Sequence, residues 1–288
     1  MSDLLRDLGA SVSALGSDWT KYSVVGSFLL YVFGYLAVRF HLTAVGIGAD
    51  LAVLDERYLF AGARFLVYFV STVPSLLLLL SPVALLLWGL FTLWPASARA
   101  VRGVPERRPG ALALCGVVVA VITIQFVMRQ CFLVNDLLLA RNLPADPAWL
   151  IGLLFNDQWM PLYFGWLVLM CGVSIAILLM IRTSEPRGLV GAGRALLALL
   201  AVVQILLLPV NYGILIMDKS LARVASVADE PLANGDAAWL VWEGKEGVTF
   251  LVRRGNQRRV LLTVPRADIK RTEIVGFDPI VPTLFGSG

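Results

Sequence analysis

The chain of 288 residues has few of the residue patterns that carry catalysis. Its single histidine, His41, excludes histidine metal clusters and, in practice, a Ser-His catalytic pair. It has no GxxxxGKS/T loop and no GxGxxG after a strand, so the phosphate cradles of nucleotide enzymes are missing. No two carboxylates lie close together inside an apolar segment. We therefore expect no enzymatic activity, no cofactor and no metal site.

The chain is also poor in charge. Charged residues make up 15% of it and hydrophobic residues 58%, with a mean hydropathy of +0.80. A water-soluble domain could not hide that much apolar surface. The net charge of +4 comes mostly from two loops and the C-terminal tail, without a continuous basic patch to follow a phosphate backbone. We expect membrane lipid, and not nucleic acid, as a partner.

Cysteines are scarce as well. Cys115, Cys131 and Cys171 all lie inside apolar segments. On one helix, Cys115 and Cys131 would be roughly 24 Å apart, too far to bridge. Free cysteines in such segments usually behave as small apolar residues. We expect no redox role for them.

Five long apolar segments are what the chain does have. Each reaches or nearly reaches the ~20 residues needed to cross ~30 Å of hydrocarbon. The predicted spans cover residues 22–40, 65–94, 111–134, 159–181 and 195–217. The sequence therefore predicts an all-α polytopic membrane bundle of about five transmembrane helices, occupying residues 22–218.

The second segment, residues 65–94, is too long for a simple span. As a straight helix it would measure roughly 45 Å, and Pro74 and Pro82 lie inside it. Neither half is long enough to span alone. We expect one helix kinked at the two prolines, with a partly re-entrant helix as the alternative.

The loops predict the orientation. Loops 95–110 and 182–194 are basic, whereas loop 135–158 between them is acidic. The positive-inside rule then places the N-terminus in the cytoplasm and everything after Asp218 in the periplasm or outside the cell. Arginine outnumbers lysine 20 to 4, as GC-rich codons produce, so we expect a multi-pass protein of the bacterial cytoplasmic (inner) membrane.

Both ends of the chain differ from the spans. Residues 1–21 have the apolar spacing of an amphipathic helix and lack the pattern of a signal peptide, so the first span should be retained. Residues 219–288 contain short alternating runs at 239–242, 248–252 and 260–264, with a fourth around 273–276. These runs predict a small C-terminal antiparallel β domain outside the membrane. With little core of its own, it should dock on the helices or on other copies.

Two sets of polar residues recur at helical spacing inside the spans. They are Gln125, Arg129 and Asp136 in the third span, and Gln204, Asn211 and Asp218 at the fifth. Each set shares one helical face. Such groups are costly in lipid, so the faces should point at each other, at another subunit or at water. They either join helices by hydrogen bonds, with Arg129 snorkelling to the interface, or line a pore.

Two further sets are candidates for a permeation path. In the first span, Ser27, Tyr31, Tyr35 and Arg39 follow one another at four-residue steps, which fits a pathway or, more simply, a helix contact. Asp50, Asp55 and Glu56 precede the second span. In a ring of subunits these carboxylates would concentrate cations at an outer mouth, although positive-inside sorting alone produces the same bias.

Three functions remain open. The leading hypothesis is a homo-oligomeric channel-type protein, cation-conducting if the acidic residues line its mouth, with a β domain for assembly or gating. The alternative is a non-conducting sensor or accessory subunit that recruits a protein partner at the β domain. The third is a small transporter.

Overall fold

The computed structural model describes residues 19–45, 47, 56–94, 108–138, 159–181, 188–217, 220–233, 235–244, 247–255 and 260–279. Most of the predicted N-terminal helix, at residues 1–21, lies outside this part of the chain. So do Asp50, Asp55 and Asp218, which were predicted to belong to the outer mouth and the polar faces.

Among the described residues, five α-helices lie in the first three quarters of the chain. They are α1 (Trp19–Val45), α2 (Glu56–Leu93), α3 (Pro109–Leu138), α4 (Trp159–Ile181) and α5 (Leu189–Leu215). Each contains a stretch of at least 22 residues that is long and apolar enough to cross a membrane. The prediction of about five such helices is confirmed, and they are compatible with a membrane protein.

Helix α2 runs without interruption for 38 residues through both prolines. A proline cannot donate to the carbonyl four residues before it, so Pro82 leaves the Leu78 carbonyl without its usual partner. The Ser81 hydroxyl donates to that carbonyl at 2.7 Å. The helix can therefore continue through Pro82 with this polar group satisfied. The kinks expected at Pro74 and Pro82 stay a prediction.

Glycines bring three helices together. A Cβ placed on Gly34 of α1 or on Gly62 of α2 would overlap a backbone carbonyl of the opposite helix. A Cβ on Gly213 of α5 would overlap the carbonyl of Ala37 in α1. Small residues at such crossings allow backbones to approach, which is how helices gain van der Waals contact where lipid removes the hydrophobic driving force.

An aromatic core fills the space beside these crossings. Phe65 of α2 makes ring contacts with four other aromatics, namely Phe33, Phe69, Phe164 and Tyr212. At the other end of the bundle a separate core joins only α3, α4 and α5, through Ala113, Ala120, Ile177, Ile181 and Leu197. There the second half of α2 is exposed, with Leu86 74% accessible.

The C-terminal region forms the predicted antiparallel sheet, with five strands in the order β6-β5-β4-β1-β7. The strands are β1 (Ser220–Val224), β4 (Ala237–Glu243), β5 (Gly247–Arg253), β6 (Val260–Pro265) and β7 (Ile274–Pro279). A two-stranded hairpin of β2 (Ser226–Val227) and β3 (Glu230–Pro231) accompanies the sheet. The four predicted runs correspond to β4 to β7. Strand β1, between β4 and β7, was not predicted.

The sheet is docked on one end of the helices. Trp242 of β4 packs against the cluster that joins α1 and α2 around Tyr58. The Arg57 guanidinium, at the start of α2, lies 5.5 Å from the centre of the Trp242 ring and donates to the Glu243 carbonyl. A cation over a tryptophan face and a hydrogen bond to the same strand fix β4 to the first turn of α2.

Candidate functional site

Helix α5 carries two of the most deeply buried polar side chains of the bundle. It contacts all four other helices, so a polar side chain on it has little access to lipid. Gln204 and Asn211 are 3% and 1% exposed, respectively. They lie two turns, or roughly 10 Å, apart on the same face. The sequence placed these two residues on one face, and that face is directed into the bundle.

Helix α3 presents a matching pair with the same spacing, Thr123 and Gln130. Gln130 Oε1 accepts a long hydrogen bond, 3.5 Å, from Asn211 Nδ2. Thr123 and Gln204 line one small cavity two turns away. We call the four residues Thr123, Gln130, Gln204 and Asn211 the polar seam. It consists of two polar layers across the α3–α5 contact.

The polar seam is incompletely paired. Both side-chain polar atoms of Gln204, and Oδ1 of Asn211, make no hydrogen bond to any residue that the structure describes. A buried polar group left without a partner costs about 1–3 kcal/mol. The cavity beside Gln204 has about 10 Å³, close to the minimum for one water molecule. A water there could bond both Gln204 and Thr123, whose hydroxyl otherwise donates to the Val119 carbonyl at 2.8 Å.

His41 lies one layer further toward the sheet. The predicted first span ends at residue 40, but α1 continues to Val45 and buries this histidine. Its Nδ1 is 3.0 Å from the Gly213 carbonyl of α5. Because a carbonyl only accepts, Nδ1 carries the proton in this contact. The only histidine therefore ties α1 to α5.

The predicted face of α3 does not meet the predicted face of α5. Gln125 and Arg129 are exposed on the outer surface of α3, beside the exposed apolar residues Ile122 and Phe126. Asp136 lies near the end of α3, and its side chain is outside the described residues. For Gln125 and Arg129 this exposure excludes contact with the predicted face of α5. Contact with another subunit or with water, and snorkelling of Arg129 to the interface, stay predictions.

The predicted face of α1 is a helix contact over two of its four residues. Tyr31 and Tyr35 both pack edge-on against the ring of Tyr58 in α2, at centroid distances of 5.5 and 5.4 Å. Ser27 is exposed and Arg39 is partly buried. Glu56, the one predicted mouth residue in the described part of the chain, is exposed at the start of α2.

No protein-family model, curated protein or solved structure matches this chain. Within the described ranges, no group of three His, Cys, Asp or Glu side chains could hold a metal ion. The cysteines whose side chains are described, Cys115 and Cys171, are free.

A second cavity, of about 160 Å³, lies where α2 leaves the bundle beside α4. Its α2 wall carries three hydroxyls, those of Ser71, Thr72 and Ser75. All three donate to carbonyls of their own helix. This groove is therefore less polar than its composition implies, because the hydroxyl hydrogens are already used.

Proposed function

We propose that the chain is a homo-oligomeric channel-type membrane protein whose permeation path lies between copies. The observation that carries this proposal is the pair Gln125 and Arg129, exposed on the outside of α3. Their position on α3 would give a lone copy a polar and charged surface facing hydrocarbon.

Arg129 lies near one end of the candidate span Pro109–Gln130, where a charge bears part of the cost of central hydrocarbon. Its neighbour Gln130 contacts Asn211 of α5. Asn211 lies roughly 10 Å along α5 from Gln204, and Gln204 is near the middle of that span. Arginine in the central hydrocarbon costs ~2.5–3.5 kcal/mol on insertion scales, less toward the interface. A second copy, or water held between copies, would remove this cost. A shared polar wall between copies is what a channel at a subunit interface requires.

The interior of one bundle has little space for a permeation path. This favours a path between copies over a path through a single copy. In the described residues, the cavity of the polar seam has room for about one water. It is flanked by Val127, Leu167 and Leu208. An ion would have to shed its hydration shell there with few oxygens to replace it.

We further propose the orientation and location that the loops predict. Arg57 joins the start of α2 to β4, and His41 joins the ends of α1 and α5, so these elements share one side. With the basic loops in the cytoplasm, the sheet lies in the periplasm of a bacterial inner membrane. Glu56, exposed at the start of α2, then stands at the outer mouth, which supports cation conduction.

Planar-bilayer recording of the purified oligomer tests this function. Discrete currents are expected. Arg129→Gln should raise the cation-to-anion permeability ratio by about two- to tenfold, because it removes a positive charge from the path. The matched control is Arg254→Gln, which removes the same charge from an exposed turn of the sheet and should leave the ratio unchanged. Oligomers without discrete currents, or equal ratios in both variants, would count against the channel.

A non-conducting accessory subunit is the second candidate. The observation that favours it is the exposed apolar surface of the sheet, including Val275 and Phe277 of β7, which a foreign protein could cover. Purification in mild detergent with a stoichiometric foreign protein would support this candidate.

A further inference from the structure

We propose that β7 of one copy pairs with β6 of the next, so that the sheets of the oligomer join edge to edge around a ring. This inference rests on the proposed homo-oligomer and names the surface that assembles it.

The sheet has an outer strand at each end, with one neighbouring strand in the described chain. Strands β6 and β7 are the two ends of the strand order, and each has six residues. Exposed edge strands are templates for pairing, and proteins usually protect them with charges or bulges. The one charged side chain within β7 is Asp278, and its carboxylate already accepts a hydrogen bond from Trp239 Nε1 at 2.7 Å. The other protective features of β7 lie at its two ends, Pro279 at one and a register shift opposite Ile274 at the other, so its central residues, Val275 to Phe277, are open to pairing.

One apolar row crosses the whole sheet and ends exposed at both edges. Paired residue by residue, the row is Leu262, Phe250, Leu240, Ala222 and Phe277. Its centre is buried, with Phe250 in the main core of the sheet. Its ends are open, Phe277 being 69% and Leu262 39% exposed. Placing Phe277 beside Leu262 of another copy would continue the row and bury both ends.

Strand direction determines the kind of assembly. Successive neighbours in the sheet are antiparallel, so β6 and β7, four positions apart, point the same way. Pairing β7 with β6 of the next copy is therefore a parallel, head-to-tail contact, which closes into a ring under rotation. A ring leaves no edge free. Gly276 in β7 has open space around it, and a strand glycine allows close approach of another backbone.

Cross-linking in the full-length protein tests the pairing. Cys115, Cys131 and Cys171 are first replaced by Ala. Leu262→Cys and Phe277→Cys are then made in separately tagged copies, co-expressed and oxidised. The expected product is a cross-linked dimer carrying both tags. Within one copy the two positions are four strand spacings, or roughly 19 Å, apart, so they cannot bridge each other. Glu230→Cys, exposed on the β2–β3 hairpin, is the control and should not cross-link.

Native mass measurement separates failure of this inference from failure of the proposed function. A monomer would overturn both. An oligomer in which Phe277→Cys bridges only to itself, or in which no mixed product forms, would overturn the β6–β7 pairing and leave the homo-oligomer standing. Phe277→Arg provides a second readout. It should abolish the oligomer peak while the thermal melting of the single copy stays unchanged, and an intact oligomer would contradict the pairing.

Discussion

The two halves of α2 differ in surroundings far more than in composition. In the first half, Phe65 is 3% exposed and Gly62 meets the backbone of α1. In the second half, Leu86 and its neighbours are exposed, and Gly89 has nothing within contact distance. Both halves are apolar. The packed half contains the glycine that meets α1 and most of the aromatic residues, whereas the exposed half contains the run of leucines and has Gly89 and Trp88 at open positions.

Replacing a glycine by leucine in each half should give the largest contrast. Gly62→Leu forces a side chain into the backbone of α1, where neither helix can yield without losing the crossing. We expect the folded protein to be lost, beyond the ~1–3 kcal/mol typical of overpacking. Gly89→Leu should fold normally, because its surroundings are open. Yield of monodisperse protein in detergent, with thermal melting, measures both. Equal tolerance would contradict the close crossing.

Truncating an aromatic residue in each half should give a smaller contrast. Phe65→Ala removes four ring contacts and leaves a cavity among Phe33, Phe164 and Tyr212, so the free energy of unfolding should fall by about 3–5 kcal/mol. Trp88→Ala removes a larger side chain from an exposed position and should cost far less in a single copy. Reversible unfolding in denaturant gives both values. A loss of similar size for Trp88→Ala in a monomer would erase the contrast.

The smallest effect concerns the proline in the open half. Ser81→Ala removes the hydroxyl that donates to the Leu78 carbonyl, and should lower the free energy of unfolding by ~0.6–1 kcal/mol. Ser75→Ala is the matched control. The Ser75 hydroxyl contacts the Ser71 carbonyl at 3.4 Å, but in a helix that carbonyl already accepts a hydrogen bond from the Ser75 backbone amide. If both variants unfold alike, the Ser81 hydroxyl does not compensate for Pro82.

The sequence predicts the elements that depend on local pattern. Apolar length indicates five helices, and period-2 alternation with turn residues indicates β4 to β7. Strand β1 was missed because Ser220–Val224 is short and follows directly after a long helix. Helix α2 begins at Glu56, well before the predicted residue 65, because its first turns are held by Arg57 and Trp242 rather than by lipid. Hydropathy does not detect such contacts.

The facing of α3 could not be predicted for a related reason. Almost every position of α3 is apolar, so its periodicity selects no buried face. Gln125 and Arg129 stand out by charge and spacing, yet Gln130, one residue along, is the side chain that reaches Asn211. Consecutive residues are about 100° apart around a helix axis, so burying Gln130 instead of Arg129 requires only a rotation of that size. Only the packing of α3 against α5, with small residues such as Ala120 buried between them, decides the rotation.

Helix α2 also has the proportions of a lever. Its short arm runs from the Gly62 crossing to Arg57 at the sheet, and its long arm runs from Gly62 to Leu93. At 1.5 Å per residue these arms measure roughly 7 Å and 46 Å. If α2 swings as a stiff rod about the crossing, a push of about 1 Å on the sheet end moves the far end by about 6 Å. Torque applied to the sheet, by a neighbour or by a bound molecule, would thus arrive amplified at the opposite face of the membrane.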